Sequence, residues 1–380
     1  MNRQQLLSRL AKSHPVVYST GPWSVWDRHK PHFRESDWGG RFERNDGLWL
    51  DRRPKLLLSW PTRLAWDLIT IPVAVARWRR QLRRMGTGPI VVYVFHPRYL
   101  RFVEQMQADL VVYSPFDLFS KMPDWTEEKN AEENRLLDLC DLVITSSEPT
   151  RSALQQKTTK PVFCVLNGVD ASFFEAGSAL PPPADLAAIP RPRIGYVGSL
   201  NRKVDFSLIH NIAIREPSWQ LVFIGPEGNF DDATRVAMEQ CRQLPNVHFL
   251  GPKPVQDLPM CMGALDVGLM CYRKDTWADF GYPLKLHEYL ASGLPVVSTP
   301  LQSIRDCEEW IETADDEQSW RSAIARALNG HGRSTPEARR AEARRNTWDA
   351  RVATINDLLT AAINGTLEPP PSQAIEGDAR

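Results

Sequence analysis

The sequence predicts an α/β protein of two domains, each built on a parallel sheet. Three observations carry this: a length of 380 residues, short β-branched runs alternating with helical stretches, and a Pro- and Ala-rich interruption near the middle. Such a length suits two ordinary domains better than one. At 42% hydrophobic and 24% charged residues, the chain has the composition of a soluble protein with enough apolar residues for two cores.

In the first half, Pro15 to Ser19, Pro89 to Phe95, Leu110 to Tyr113, Leu142 to Thr145 and Val162 to Leu166 read as strands. Helical stretches such as Glu127 to Leu139 separate them, and strand–helix alternation of this kind implies βαβ units and a parallel sheet. Residues 1–176 are expected to form this domain, and 177–192 (GSALPPPADLAAIPRP) a linker. The second domain, 193–345, starts afresh with Arg193 to Val197, which ends at Gly198. Trp219 to Ile224 ends in Gly225-Pro226, and Val247 to Leu250 in Gly251-Pro252. Val267 to Met270 and Val296 to Ser298 complete its sheet. Ligands of open parallel sheets sit beyond the carboxyl ends of the strands, where glycine brings backbone close to a phosphate or simply makes a tight turn. Trp348 to Ala362 reads as a last amphipathic helix within 346–365, and 366–380, with Pro369-Pro370-Pro371, as a disordered tail.

The balanced charge, 46 basic and 46 acidic side chains, argues against a nucleic-acid partner. It conceals an asymmetry: residues 1–101 hold about 19 Lys or Arg against about 7 Asp or Glu. A basic half of this kind suits an anionic membrane surface or an anionic substrate, or is a solvated face. No apolar run reaches the ~20 residues of a membrane-spanning helix. Leu64 to Ala76, broken by Asp67 and Pro72, runs into Arg77, Trp78, Arg79, Arg80, Arg83 and Arg84, a pattern suited to a membrane interface or to a buried helix with an exposed last turn. The six cysteines form no C-x-x-C pair and read as reduced thiols of a cytoplasmic protein, with no metal site. The 13 Trp, including Trp23, Trp26, Trp38, Trp49, Trp60 and Trp66, suit a sugar acceptor, a membrane interface or a core.

The most informative stretch is Asp279 to Pro300, DFGYPLKLHEYLASGLPVVSTP. Pro283 suits the first turn of a helix, Gly293 stops that helix, and Pro295 forbids its resumption. A helix start behind Phe280-Gly281 offers free N–H groups and the positive end of a dipole to an anion. Lys285 and Glu288, three apart, share one helix face. They offer a cation for a diphosphate and a carboxylate for ribose hydroxyls, or else an exposed ion pair.

This stretch resembles the donor-site motif of group-one glycosyltransferases with two facing Rossmann-like domains, the GT-B fold. "RIGYVGSL", "LVFIGP", "NVHFLGPKP" and "ALDVGLMCY" fall in that family's order, and "LCDLVITSSEP" and "VLNGVDASFF" resemble its strands before the interdomain linker. The resemblance covers residues 90–362. It implies a cleft between the domains, the second binding a nucleotide-diphosphate sugar (UDP-sugar favoured) and the first a saccharide or lipid-linked acceptor. It also implies a C-terminal helix crossing back, no required cofactor or metal, and polysaccharide or glycolipid assembly at the cytoplasmic membrane face.

On this resemblance the donor-binding residues are Gly198, Arg202, Lys203, Tyr272, Tyr282, Pro283, Lys285 and Glu288. Many relatives carry a second Glu eight residues before Glu288; here that position is Phe280, so Lys285 is expected to take over phosphate work. Met1 to Leu7 resembles the helix that follows the family's opening strand and Gly-rich loop, so either that element is missing or the start codon is assigned late. The Asp117 loop resembles that of the inverting glucuronosyltransferase of xanthan assembly, whose Asp is the general base. Asp117 is therefore the candidate base, or else a cap or Asx turn, and His96 a second catalytic candidate or a loop histidine without a role. Two alternatives share the fold: a sugar-nucleotide epimerase and a non-catalytic partner subunit.

Overall fold

The computed structural model describes residues 2–59, 67–274 and 277–370. Its chain separates into two compact units. The first comprises Met1–Ser146, Thr150–Val165 and Val352–Arg380, and the second Ser147–Pro149 and Leu166–Arg351.

The first unit opens with helix α1 (Asn2–Leu10) and strand β1 (Val16–Tyr18). Contrary to expectation, β1 does not join the main sheet. It pairs in parallel with β4 (Leu48–Arg52), which forms an antiparallel hairpin with β3 (Arg41–Asn45). Asp46 and Gly47 turn that hairpin with positive φ at both positions, the combination an Asp-Gly turn supplies. The short strands β2 (Trp23–Ser24) and β5 (Leu58–Ser59) pair beside it, and α2 (Pro31–Glu35) lies between them in the chain. After α3 (Asp67–Met85), strands β6 (Val91–Val94), β7 (Leu110–Tyr113), β8 (Leu142–Thr145) and β9 (Val162–Cys164) form a parallel sheet in sequential order. Helices α4 (Leu100–Met106), α5 (Glu127–Leu139) and α6 (Glu148–Gln155) connect them. The two-residue period of β6 divides the core: Val91 and Tyr93 pack with Leu6, Leu10 and Leu110, whereas Val92 packs with Ile71, Val75 and Phe102.

Residues 177–192, expected as a linker, belong to the second unit. Helix α7 (Ala171–Ser178) buries Phe174 there, and Leu186 of α8 (Ala184–Ala187) and Ile189 are buried in the same core. The Arg193 guanidinium ties the stretch down by donating to the carbonyls of Ala187 and Ile189. Apolar anchors spaced among the prolines thus move the division to Val165/Leu166.

The second unit is a six-stranded all-parallel sheet. Its strands are β10 (Arg193–Val197), β11 (Gln220–Ile224), β12 (Val247–Gly251), β13 (Val267–Met270), β14 (Val296–Ser298) and β15 (Glu312–Thr313). Their order, β12-β11-β10-β13-β14-β15, reverses direction beside β10, so the loops after β10 and β13 diverge at a topological switch point. Helices α9 (Phe206–Arg215), α10 (Asp232–Arg242), α11 (Leu258–Gly263), α12 (Leu284–Ala291), α13 (Glu317–Leu328) and α14 (Pro336–Arg345) cover the sheet. The last helix, α15 (Trp348–Ile363), starts in this unit and buries Val352, Ile355 and Leu359 in the core of the first. Of the expected tail, 371–380 lies outside the described residues, as do Leu64 to Trp66 of the apolar run, and Trp60. Among the described residues no helix is long and apolar enough to cross a membrane.

Candidate donor site and catalytic residues

Helix α12 forms where the sequence places it and spans Leu284–Ala291; Pro283 stands in extended conformation at its N-cap, one position ahead of the first turn, and Gly293 ends it at φ +75°. Its entry is held from two sides. Asn167 Nδ2 donates to the Tyr282 carbonyl at 2.9 Å, and Ser303 Oγ to the Gly281 carbonyl at 2.9 Å. Further along, Tyr289 Oη accepts the Val197 N–H at 2.8 Å, fixing the helix to the end of β10.

Lys285 and Glu288 share the helix face that Leu286 and Leu290 leave, yet among the described residues they form no ion pair. Lys285, 8% exposed, lays its ammonium 3.1 Å from the centre of the Tyr196 ring and 5.3 Å from that of Tyr272. Burial pulls its pKa down to about 7, and the Lys203 charge acts in the same direction. Burial pushes half-buried Glu288 up to about 7 against the pull of Lys285. A desolvated cation held by ring faces rather than by a carboxylate is ready to accept an anion.

Gly198 makes room for this arrangement. At φ +143°, a Cβ there would come within 3.0 Å of Lys285 Nζ, while its own N–H is spent on the Ile224 carbonyl at 2.8 Å. Gly198 therefore supplies space for the lysine tip, not an amide for a phosphate. Gly225 at φ +151° supplies closeness of another kind, since a Cβ would meet the Gly198 carbonyl oxygen at 2.0 Å. Arg202 and Lys203, half-buried on the loop after β10, both lie over the Trp277 ring, at 4.6 and 4.7 Å.

Two expected donor residues are placed differently. The Tyr282 hydroxyl is buried against His287 Nε2 at 2.7 Å, so it is committed inside the unit. Tyr272 is buried too, with its N–H on Thr299 Oγ1 at 3.0 Å and its ring beside Lys285. A cavity of about 610 Å³ lies on the α9, α10 and α13 side of the sheet. It shares only Tyr272 with the expected set, and the cations Lys285, Arg202 and Lys203 do not line it. Its own Arg273 and Lys274 are paired with Asp231 and Asp315, which leaves it the weaker anion site. Among the described residues no group of three or more His, Cys, Asp or Glu could hold a metal ion, and all six cysteines are free.

In the first unit, His96 and Asp117 follow the neighbouring strands β6 and β7 at the same end of the sheet. His96 caps a short 3-10 turn, its Nδ1 accepting the Arg98 N–H at 3.1 Å. Burial first, then the charges of Arg98, Lys129 and Arg3, lower its pKa to about 4. Neutral and with Nδ1 occupied, His96 presents Nε2–H, so it can donate a hydrogen bond but is a poor base. Its ring lies 4.7 Å from that of Phe119, which in turn stacks on Trp125. Trp125 Nε1 is buried without a hydrogen-bond partner. Asp117 is half-buried in the bend ahead of the Phe119–Lys121 turn, whose N-cap position is Leu118.

Residues 191–330 match the family model described as Glycosyl transferases group 1. Within the second unit, this stretch is thus similar to the group 1 glycosyltransferases. Across 226 residues the chain is 30% identical to the putative teichuronic acid biosynthesis glycosyltransferase TuaH of Bacillus subtilis, covering 57% of this chain and 56% of that one. The chain thus spans about half the length of this curated relative. A sucrose-phosphate synthase from Thermosynechococcus elongatus superposes with a TM-score of 0.71 at 16% identity, over 96% of this chain and 92% of the other. An Anabaena protein, HepE, in complex with UDP and glucose gives 0.60 at 15% identity, over 82% and 87%. These likenesses show the fold, which is of GT-B type.

Three residues of the second unit carry no site signal in the sequence pattern: Tyr196, Trp277 and Asn167. For Tyr196 the nearest to one is strand periodicity, because a residue two before a strand-end glycine shares its face of the strand. Trp277 and Asn167 are brought in by loops, which no periodicity announces.

Proposed function

We propose that this protein transfers a sugar from a nucleotide-diphosphate donor, a UDP-sugar by preference, to a saccharide or lipid-linked acceptor in polysaccharide or glycolipid assembly. The observation that carries the reading is Lys285, a buried ammonium on tyrosine faces at the switch point of a parallel sheet, one turn before the carboxylate of Glu288. The Lys285 ammonium meets the diphosphate charge, helped by Arg202 and Lys203, and Glu288 accepts the ribose hydroxyls. When the anomeric carbon–oxygen bond breaks, the departing diphosphate gains charge, and fixed cations stabilise it without reorganising. No metal is then required for that step. Asp117 is the candidate to accept the proton of the attacking hydroxyl, and His96 Nε2–H with Trp125 Nε1–H the candidates to orient it. The relatives support the reading: TuaH carries a polysaccharide-assembly name, and HepE binds UDP and glucose. Because nucleotide sugars are cytoplasmic metabolites, the proposed place of action is the cytoplasm.

The test is a thermal-shift series with UDP, GDP and their sugars, followed by product analysis with and without acceptor. The proposal expects stabilisation by UDP and sugar transfer only when acceptor is present. Release of nucleotide and free sugar without acceptor would instead identify an epimerase-type reaction.

A further inference from the structure

Helix α3 carries a surface that the donor site does not use. Taken at 3.6 residues per turn, its residues divide into two faces. Ile71, Ala74 and Val75 are buried against Phe102 and Met106, and Arg77 and Trp78 anchor the same side to Asp51. The opposite face is open. Its first two turns expose Leu68 (70%), Ile69 (59%) and Val73 (44%). Its last two turns expose Arg80, Arg83 and Arg84, which line a shallow recess of about 500 Å³ with Arg79. Among the described residues, none of Arg80, Arg83 and Arg84 has an acidic partner.

An apolar end and a cationic end on one exposed helix face match the two layers of a bilayer surface. Aliphatic side chains enter the acyl boundary while guanidinium groups reach lipid phosphates. The neighbourhood continues the pattern. Thr70 Oγ1 donates to the Leu58 carbonyl at 2.7 Å, and nearby in that segment Leu56 is exposed and donates its N–H to the Trp38 carbonyl. Trp38 is exposed as well, with the Lys55 ammonium 5.8 Å from its ring centre. We infer that the exposed face of α3 docks the protein onto an anionic phospholipid surface, with Leu68, Ile69 and Val73 inserted and Arg80, Arg83 and Arg84 on the headgroup phosphates. A protein partner would have to match the unpaired arginines with carboxylates of its own, whereas an anionic bilayer presents phosphate beside apolar chains without further design. The inference is independent of the donor assignment, because no residue of α3 belongs to that site.

The test is co-sedimentation of the full chain with phosphatidylcholine vesicles and with vesicles one third phosphatidylglycerol. The wild type is expected to sediment with the anionic vesicles only, and less at high salt. Arg80→Glu/Arg83→Glu/Arg84→Glu should weaken partitioning on the order of 100-fold. Leu68→Gln/Ile69→Gln/Val73→Gln should leave a residual binding that salt abolishes. Unchanged UDP binding and circular dichroism in both variants would show that the fold is intact. Equal sedimentation with neutral and anionic vesicles, or none with either, would overturn the inference, as would a triple-Glu variant that binds like wild type.

Discussion

Lys285 gives up its water shell for two tyrosine rings, and that exchange makes its charge depend on pH. With its pKa near 7, the ammonium is largely deprotonated above neutrality in the free protein, and an arriving diphosphate must restore the proton. Donor affinity is therefore expected to fall as pH rises above 7, approaching about tenfold per unit. Calorimetry at pH 8 in buffers of different ionisation enthalpy should register proton uptake on UDP binding; a buffer-independent enthalpy would contradict this. Gly198→Ala is expected to displace the Lys285 tip and weaken UDP binding while leaving most of the stability. Gly225→Ala, whose Cβ would meet the Gly198 carbonyl, should instead cost about 2–3 kcal/mol in denaturant unfolding. Two neighbouring glycines with opposite readouts separate space for a ligand cation from space for the backbone.

Element α12 is a short helix whose position depends on what holds its entry. Removing the Asn167 amide leaves the buried Tyr282 carbonyl unpaired, so Asn167→Ala should cost about 1–3 kcal/mol and weaken UDP binding together. Loss of stability with full affinity would show that the clamp does not position the site. The helix itself was legible in the sequence, because Pro283, Gly293 and Pro295 act locally. The small sheet of β1, β3 and β4 was not, since Val16 to Tyr18 reads equally well as a strand of either sheet and only long-range pairing decides. The same limit hid the role of residues 177–192: their prolines announced a linker, while Leu186 and Ile189, too sparse for any period, pack them into the second unit. Lys285 and Glu288 were legible as a helix-face pair, but their tyrosine setting was not, because Tyr196 arrives from a strand 89 residues earlier in the chain.

At the scale of the whole molecule, buried histidines tie stability to pH. His287 is buried, with Nδ1 unpartnered and its pKa lowered to about 3 by burial and the Arg351 charge. The unfolded chain takes up this proton near pH 6.5 and the folded chain does not. The His287 contribution is thus complete above 6.5 and falls between 6.5 and 3, by up to about 1.4 kcal/mol per unit. Glu288, raised to about 7, acts in the opposite direction between 4.5 and 7, so the comparison of wild type with His287→Gln isolates the histidine. A smaller acid loss in the variant is the expected result of melting curves from pH 7 to 4, and parallel curves would contradict it. The central claim, a nucleotide-diphosphate site centred on Lys285, is tested most directly by titration calorimetry of UDP into wild type, Lys285→Ala and Glu288→Ala. Measurable UDP binding to the wild type and none to either variant is the expected result, with all three proteins folded. Unchanged affinity in both variants would place the donor elsewhere and rule out a site centred on Lys285.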